Sequence, residues 1–249
     1  MAADETDLSE PGGKVRLFFE QPIAEGVALT LNEGQTHYLR HVMRARSGTA
    51  VQIFNGRDGE WRALLDLSSK RGAAVVPQRV TRAQSPPGDL WLCFAPIKKT
   101  AAEFVAQKAT ELGVSELRPV ITRRTIVSRV NTDRMLANAI EAAEQSDRLD
   151  VPAIQPPITL ALLLSAWPSD RALIFCDEGG APPMLKALKA APTGPAAILA
   201  GPEGGFDPQE RAAIRDLPQC VPVSLGPRIL RADTAALAAL AVFQAGRGN

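Results

Sequence analysis

The chain has 249 residues, 45% of them hydrophobic, with 28 Lys+Arg against 27 Asp+Glu. That is enough for one large domain or two modest ones, and too apolar for a disordered chain. The apolar runs near 160–167 and 235–243 are too short to span a bilayer. The acidic start, Ala2-Ala3-Asp4-Glu5-Thr6-Asp7, lacks the charged and apolar regions of a secretory signal.

Cys93, Cys176 and Cys220 are odd in number and far apart, with no C-x-x-C. They read as reduced, buried thiols in a cytoplasmic protein. A net charge of +1 argues weakly against a nucleic-acid partner, but the distribution is uneven. Residues 13–88 hold eleven Lys/Arg against six Asp/Glu, the first 12 residues hold four acids, and residues 89–249 hold seventeen of each. Positive charge gathered in one part of a chain is a possible phosphate-binding footprint.

Residues 1–12, small and acidic and ending in Pro-Gly, predict a disordered tail. Residues 13–84 read as a small β-barrel. Predicted strands run over Val15–Phe19, Val27–Leu31, Ala50–Phe54, Glu60–Leu67 and Ala73–Val80, broken by Asn55-Gly56, Asp58-Gly59 and Pro77. One helix, about Gln35–Ala45, interrupts them. On it His37, Arg40, His41 and Arg44 fall at i, i+3, i+4 and i+7, a basic face suited to phosphates or simply to solvent, while Leu39, Val42 and Met43 can pack down.

Gln84-Ser-Pro-Pro-Gly88 is the predicted linker. After it, over 89–249, strands and helices alternate, which predicts an α/β domain with a parallel sheet. Predicted strands are Leu90–Ala95, Leu117–Ile121 and Ala172–Cys176. Predicted helices are Thr100–Leu112, with Thr100 and Glu103 in capping-box spacing, then Asn131 to about Arg148, 159–165 and Met184–Ala190. Arg123-Arg124 and Lys98-Lys99 follow strands, where α/β ligand sites form.

The domain closes with two strand–glycine turn–helix units. The first is Ala197-Ile-Leu-Ala-Gly201-Pro-Glu-Gly-Gly-Phe-Asp207, leading into a helix with Asp207 as N-cap, Pro208 at N1 and Glu210 at N3. The second is Val221-Pro-Val-Ser-Leu-Gly226-Pro-Arg-Ile-Leu-Arg-Ala-Asp-Thr234, leading into an apolar and therefore buried helix. Glycines there let backbone approach a ligand. The G-K-[ST] of a P-loop is missing, and G-x-x-G-G is not the G-x-G-x-x-G of a dinucleotide site. The pattern therefore reads as a ligand crevice not built for a nucleoside triphosphate, or as two tight turns. His37 and His41 at i, i+4 have zinc-binding spacing, but no third ligand is placed by sequence, so no metal is expected.

Leu-Ala-Gly-Pro-Glu-Gly-Gly-Phe at 199–206 and Leu-Gly-Pro-Arg-Ile-Leu-Arg-Ala-Asp-Thr-Ala at 225–235 closely resemble the signature of the RsmE family, 16S ribosomal RNA (uracil-N3)-methyltransferases of the SPOUT class. The resemblance extends to Arg16-Leu-Phe-Phe19, His37 to Arg44, Lys98 to Gly113 and Glu141 to Arg148, and covers about residues 15 to 245. One departure is Asp233, where the family often has Glu. The resemblance implies a PUA-like barrel before a SPOUT domain with a C-terminal trefoil knot. It further implies S-adenosylmethionine as cofactor, 16S rRNA or the 30S subunit as partner, and a homodimer.

On that reading the cofactor is expected at Leu199, Ala200, Gly201, Glu203, Gly204, Gly205, Leu225, Gly226, Ile229, Leu230 and Thr234. RNA is expected at Arg16, His37, Arg40, His41, Arg44, Lys98, Arg123 and Arg124. Arg231 is the candidate for stabilising charge on the uracil oxygens, and Glu203 or Asp233 for the base. Both acids have structural alternatives: Glu203 could bind N–H groups of its own turn, and Asp233 or Thr234 could cap the last helix. The Glu-Gln-Ser-x-Arg run at 144–148 points to the site or a dimer interface. Rival readings are another SPOUT RNA methylation, at a ribose 2′-OH or guanine N1, and a non-catalytic RNA-binding assembly factor.

Overall fold

The computed structural model describes residues 7–9, 14–68, 72–86, 88–96, 99–127, 129–177 and 179–247. The chain divides into two compact units, one of residues 1–86 with 143–151, the other of residues 87–142 with 152–249. Among the described residues no helix is long and apolar enough to cross a membrane.

The first unit is a curled five-stranded sheet. Its strands are β1 (Arg16–Phe18), β2 (Leu29–Thr30), β3 (Ala50–Phe54), β4 (Glu60–Asp66) and β5 (Ala74–Arg82), in the order β1-β3-β4-β5-β2. The β1–β3 pair is parallel and the others are antiparallel. Alternate residues turn inward, so Leu17, Leu29, Val51, Ile53, Ala63, Leu65 and Val75 share one core. Inside the predicted disordered tail, Asp7 forms a parallel bridge with Ala50 and Leu8 is buried in that core. Leu8 burial, the Leu8 N–H donated to the Ala50 carbonyl at 3.0 Å and the Asp7–Arg62 ion pair at 3.2 Å together fasten this segment.

The predicted Gln35–Ala45 helix is divided. A capping box between Asn32 and Gln35 starts α1 (Glu33–His37), and a π-helical turn follows at Tyr38–Val42. Leu39 is buried and Met43 packs beside the core, but Val42 is exposed. Arg44 closes the turn with φ 53°, a conformation that ends helical pairing. The wider turn moves Arg44 off the line the 3.6-residue period predicted.

The second unit is a seven-stranded parallel sheet flanked by helices, as the alternating pattern predicts. It contains β6 (Leu90–Phe94), α2 (Lys99–Glu111), β7 (Glu116–Ile121), α3 (Thr132–Gln145), β8 (Ala153–Ile154), β9 (Ile158–Thr159) and α4 (Leu160–Ser165). Then come β10 (Ala172–Cys176), α5 (Met184–Ala190), β11 (Ala196–Ala200), α6 (Pro208–Arg215), β12 (Cys220–Val223) and α7 (Ala232–Arg247). Strand order is β12-β10-β11-β6-β7-β8, with β9 also on β7. The central strands are apolar throughout because both faces are covered. Leu92, Ile174 and Ile198 face α2, α5 and α7; Cys93, Leu173 and Leu199 face α4 and α6. The last turn of α3 and the residues after it, 143–151, group with the first unit. The predicted α2 capping pair falls on Thr100, whose side chain lies outside the described residues.

Candidate active site

Strands β10, β11 and β12 run parallel and in register, so Cys176, Ala200 and Val223 end at one edge of the sheet. The chain leaves each strand there, and the three exits enclose a cleft with about 830 Å³ of empty space, partly open to solvent. A C-terminal sheet edge of this kind is the usual ligand crevice of an α/β fold.

Each wall has a local cause. After β11, Gly205 donates its N–H to the Pro202 carbonyl at 2.9 Å and adopts φ 66°, closing a tight turn. Phe206 is folded back over Gly201, and its ring meets Phe175 edge-on at 5.3 Å. A Cβ on Gly201 would stand 2.7 Å from the Phe206 ring, so glycine is required for that close approach. Asp207 and Glu210 then form the expected capping box of α6, with Pro208 at N1. After β12, Gly226 adopts φ 117° and donates its N–H to Ser224 Oγ at 3.2 Å.

The structure brings Gly201, Gly205, Leu225, Gly226, Ile229 and Leu230 together on this cleft, all six from the expected cofactor set. Leu199 and Ala200 instead point their side chains into the sheet core. The strand pleat fixes this: one faces α6 and the other α7. Glu203 and Gly204 are exposed on the turn and do not line the cleft. A Cβ on Gly204 would meet only Arg124, at 3.6 Å. Thr234 is exposed in the first turn of α7, where its N–H is donated to Asp233 Oδ1 at 2.7 Å. Arg231 is exposed beside the cleft residues Leu230 and Ala232, and its carbonyl accepts the first helical bond of α7.

The sequence reading missed Asp177 and Arg211, which also line the cleft. Asp177 follows β10 and is buried. It accepts Gly179 N–H at 2.9 Å and pairs with Arg211 Nε at 2.9 Å and Arg215 Nη2 at 2.6 Å. Burial alone pushes its carboxyl up. The Gly179 N–H and the Arg215 and Arg211 guanidinium groups outweigh that and hold it below its ordinary value. Its place at a strand end was a usable signal; Arg211, one turn into a helix, had none. Cys176 also borders the cleft, and burial pushes its thiol up to about 12, so no thiolate is available there.

The RNA candidates separate. Arg123 and Arg124, in the loop after β7, hold the glycine turn. Arg124 Nη1 donates to the Gly204 carbonyl at 2.7 Å, Arg123 Nη1 to Asp207 Oδ1 at 3.0 Å, and the Arg123 N–H to Glu210 Oε1 at 2.8 Å. In the first unit His37, Arg40 and His41 line a shallow groove, with imidazole rings 4.8 Å apart. Arg44 is exposed beyond it.

Arg16 is a correction. It is buried, pairs with Glu60 at 2.7 Å, stacks 4.5 Å over the Phe54 ring and donates to the carbonyls of Ala143 and Arg148. It has no surface to offer RNA. Glu144 accepts the Phe18 N–H at 2.9 Å, so the 144–148 run also acts inside this unit. Lys98 lies outside the described residues.

Comparison with known proteins agrees with this architecture. The family described as RNA methyltransferase domain matches residues 84–244, and the RNA methyltransferase PUA domain matches residues 31–78. A ribosomal RNA small subunit methyltransferase E from Rickettsia conorii is 30% identical over 91% of this chain and 93% of its own length. One from Synechocystis is 35% identical over 87% of this chain and 73% of its own. Among solved structures, the enzyme of that name from Neisseria gonorrhoeae, bound to S-adenosyl methionine, superposes with a TM-score of 0.84 at 29% identity, over 93% of this chain and 97% of that one. A protein from Legionella pneumophila with SAM bound as cofactor gives 0.81 at 28%, with the same coverage. The chain therefore belongs to the ribosomal RNA small subunit methyltransferase E family.

Proposed function

We propose that this chain methylates N3 of a uridine in 16S ribosomal RNA, with S-adenosylmethionine as methyl donor. One observation carries the reading: two glycine turns on adjoining exits of a parallel sheet wall a single cleft, inside the segment that matches the methyltransferase family. The residues suit the cofactor. A Cβ added at Gly226 would meet nothing within 4 Å, so backbone stands open to the cleft. Phe206, Leu225, Ile229 and Leu230 offer apolar surface for an adenine, and Ser224, Arg211 and Arg228 offer polar groups. Bound there, S-adenosylmethionine supplies an electrophilic methyl group on a sulfonium.

The protein's task is then alignment, exclusion of water and handling of the acceptor's proton. Neutral uracil carries a proton on N3 and is a poor nucleophile. A group must accept that proton or stabilise the anionic base. Arg231, exposed at the cleft's edge, is our candidate for stabilising charge on the uracil oxygens. Glu203 is our candidate base. Asp233 is the alternative, although its Oδ1 already accepts the Thr234 N–H. Because N3 lies on the pairing edge, the target nucleotide must be unpaired or flipped out.

We further propose the family's C-terminal knot, a homodimer, and RNA contact through His37, Arg40, His41 and Arg44. The knot rests on the family resemblance of the two glycine turns; α7 itself packs on β11, α2 and α5. Calorimetric titration with S-adenosylmethionine, followed by mass spectrometry of small-subunit RNA, tests the reading. Binding followed by a methyl group on uridine N3 is the expected result. A methyl group on a ribose or on guanine would replace the substrate assignment, and no binding even with small-subunit particles would sink it.

A further inference from the structure

Arg211 reaches the cleft wall already held in place. Its Nε pairs with Asp177 Oδ1 at 2.9 Å, and its Nη2 donates to the Gly179 carbonyl at 2.6 Å. The guanidinium lies directly against Gly179, where any Cβ would overlap it, so glycine there makes the seat. Behind this pair, Arg215 Nη2 stands 2.6 Å from Asp177 Oδ2. The Asp177 side chain is 2% exposed and the Arg211 side chain 36%. The carboxylate is therefore spent inside, while the guanidinium stays open to a ligand. Arg211 and Asp177 both line the cleft.

Arginine presents five N–H donors in a planar fork. Nε and Nη2 are engaged, and Nη1 has no hydrogen-bond partner among the described residues. Two guanidinium groups on one carboxylate also leave the cluster with surplus positive charge. A fixed, open fork with surplus positive charge suits a carboxylate, held through parallel N–H···O bonds. S-adenosylmethionine carries a single carboxylate, at the end of its methionyl arm; its ammonium and sulfonium have the wrong sign. Arg228 also lines the cleft, but it is exposed, and no hydrogen bond or ion pair fixes its side chain among the described residues. A fork held in advance loses less freedom on binding than a loose side chain.

We propose that Arg211 binds the methionyl carboxylate of S-adenosylmethionine, and that Asp177 is a positioning residue that holds the guanidinium at the cleft wall. The assignment rests on the proposed function and names the anchor for one arm of the methyl donor. Fixing that arm at its far end limits rotation about the sulfonium and so helps to aim the methyl group.

The test is calorimetric titration of the full chain with S-adenosylmethionine and with its decarboxylated analogue. The analogue keeps the adenosine, sulfonium and amine and lacks only the carboxylate. Wild type should bind S-adenosylmethionine about tenfold more tightly than the analogue, the scale of hydrogen bonds to a charged group. Arg211→Ala should close that gap by weakening S-adenosylmethionine and leaving the analogue unchanged. Arg215 still pairs with Asp177 in that variant, so the buried carboxylate keeps a partner. Arg211→Lys should keep part of the gap, since it has the charge without the fork. Asp177→Asn should narrow the gap as well, whereas a merely structural loss would weaken both compounds alike. Arg228→Ala should leave it intact.

Equal wild-type affinity for the two compounds overturns the proposal, as does a gap that survives Arg211→Ala. So does an equal loss for both compounds in Arg211→Ala, which would make Arg211 a prop of the cleft wall. A gap closed by Arg228→Ala instead would move the carboxylate to the second turn. Each of these outcomes includes cofactor binding by the wild type and leaves the proposed function standing. If the wild type binds neither compound, even with small-subunit particles, the proposed function falls and this assignment with it.

Discussion

Gly226 and Gly204 are both glycines of the signature, and they are not equivalent. Gly226 has φ 117° and lines the cleft, whereas Gly204 has an exposed, unstrained backbone with room for a Cβ. A side chain at Gly226 meets conformational strain of about 1–2 kcal/mol and fills ligand space. Gly226→Val should therefore weaken S-adenosylmethionine binding by tenfold or more in calorimetry, while Gly204→Val changes it little. Equal losses would mean that the turns are read wrongly.

Arg231→Ala should keep most cofactor affinity and lose turnover; normal single-turnover rates would remove it from the mechanism. Arg16 shows the opposite case, a basic residue with no role at the surface. Arg16→Ala leaves Glu60 buried without its main partner and should cost about 3–5 kcal/mol in urea unfolding, as for other broken buried pairs. Sequence could not separate Arg16 from Arg40, because charge is visible in a sequence and burial is not.

At the scale of the element, the start of α6 was legible, since its cap, Pro and N3 acid lie within one turn. Asp207→Ala should cost about 0.5–2 kcal/mol by removing the cap. It should also release Arg123, which pairs with the same carboxylate. Substituting Arg124 with Ala should loosen the turn at Gly204 and weaken the cofactor severalfold, with Arg124→Lys recovering part of the loss. RNA affinity that falls with unchanged cofactor affinity would restore the original reading of Arg124 as an RNA contact. The first helix was only half legible. Its basic face assumed a 3.6-residue period, and a π turn replaced it. The helix of the second turn unit is buried on one face only, at Ala232, Ala236, Ala239, Leu240 and Phe243, while Ala241 and Ala245 are exposed, so its apolar run was legible but its open face was not.

At the scale of the whole molecule, stability should depend on acid through Asp177. Its carboxyl is held below the ordinary 3.8, so the stability it contributes is present above that pH and is lost as pH falls through the lowered folded-state value. Melting curves of wild type and Asp177→Asn should differ most near neutrality and converge in strong acid; a constant gap would mean the ion pairs contribute nothing. The parallel sheet and the glycine turns were determined by sequence alone, because period, caps and glycine punctuation act between near neighbours. Tertiary structure alone decided which side chains share a cleft. It brought Asp177 and Arg211 to Gly226, set Leu199 and Ala200 into the core, placed Arg124 on Gly204, and buried Arg16 with residues 143–148. Those choices depend on strand order and on where the chain returns, and neither is encoded by any residue's neighbours in sequence.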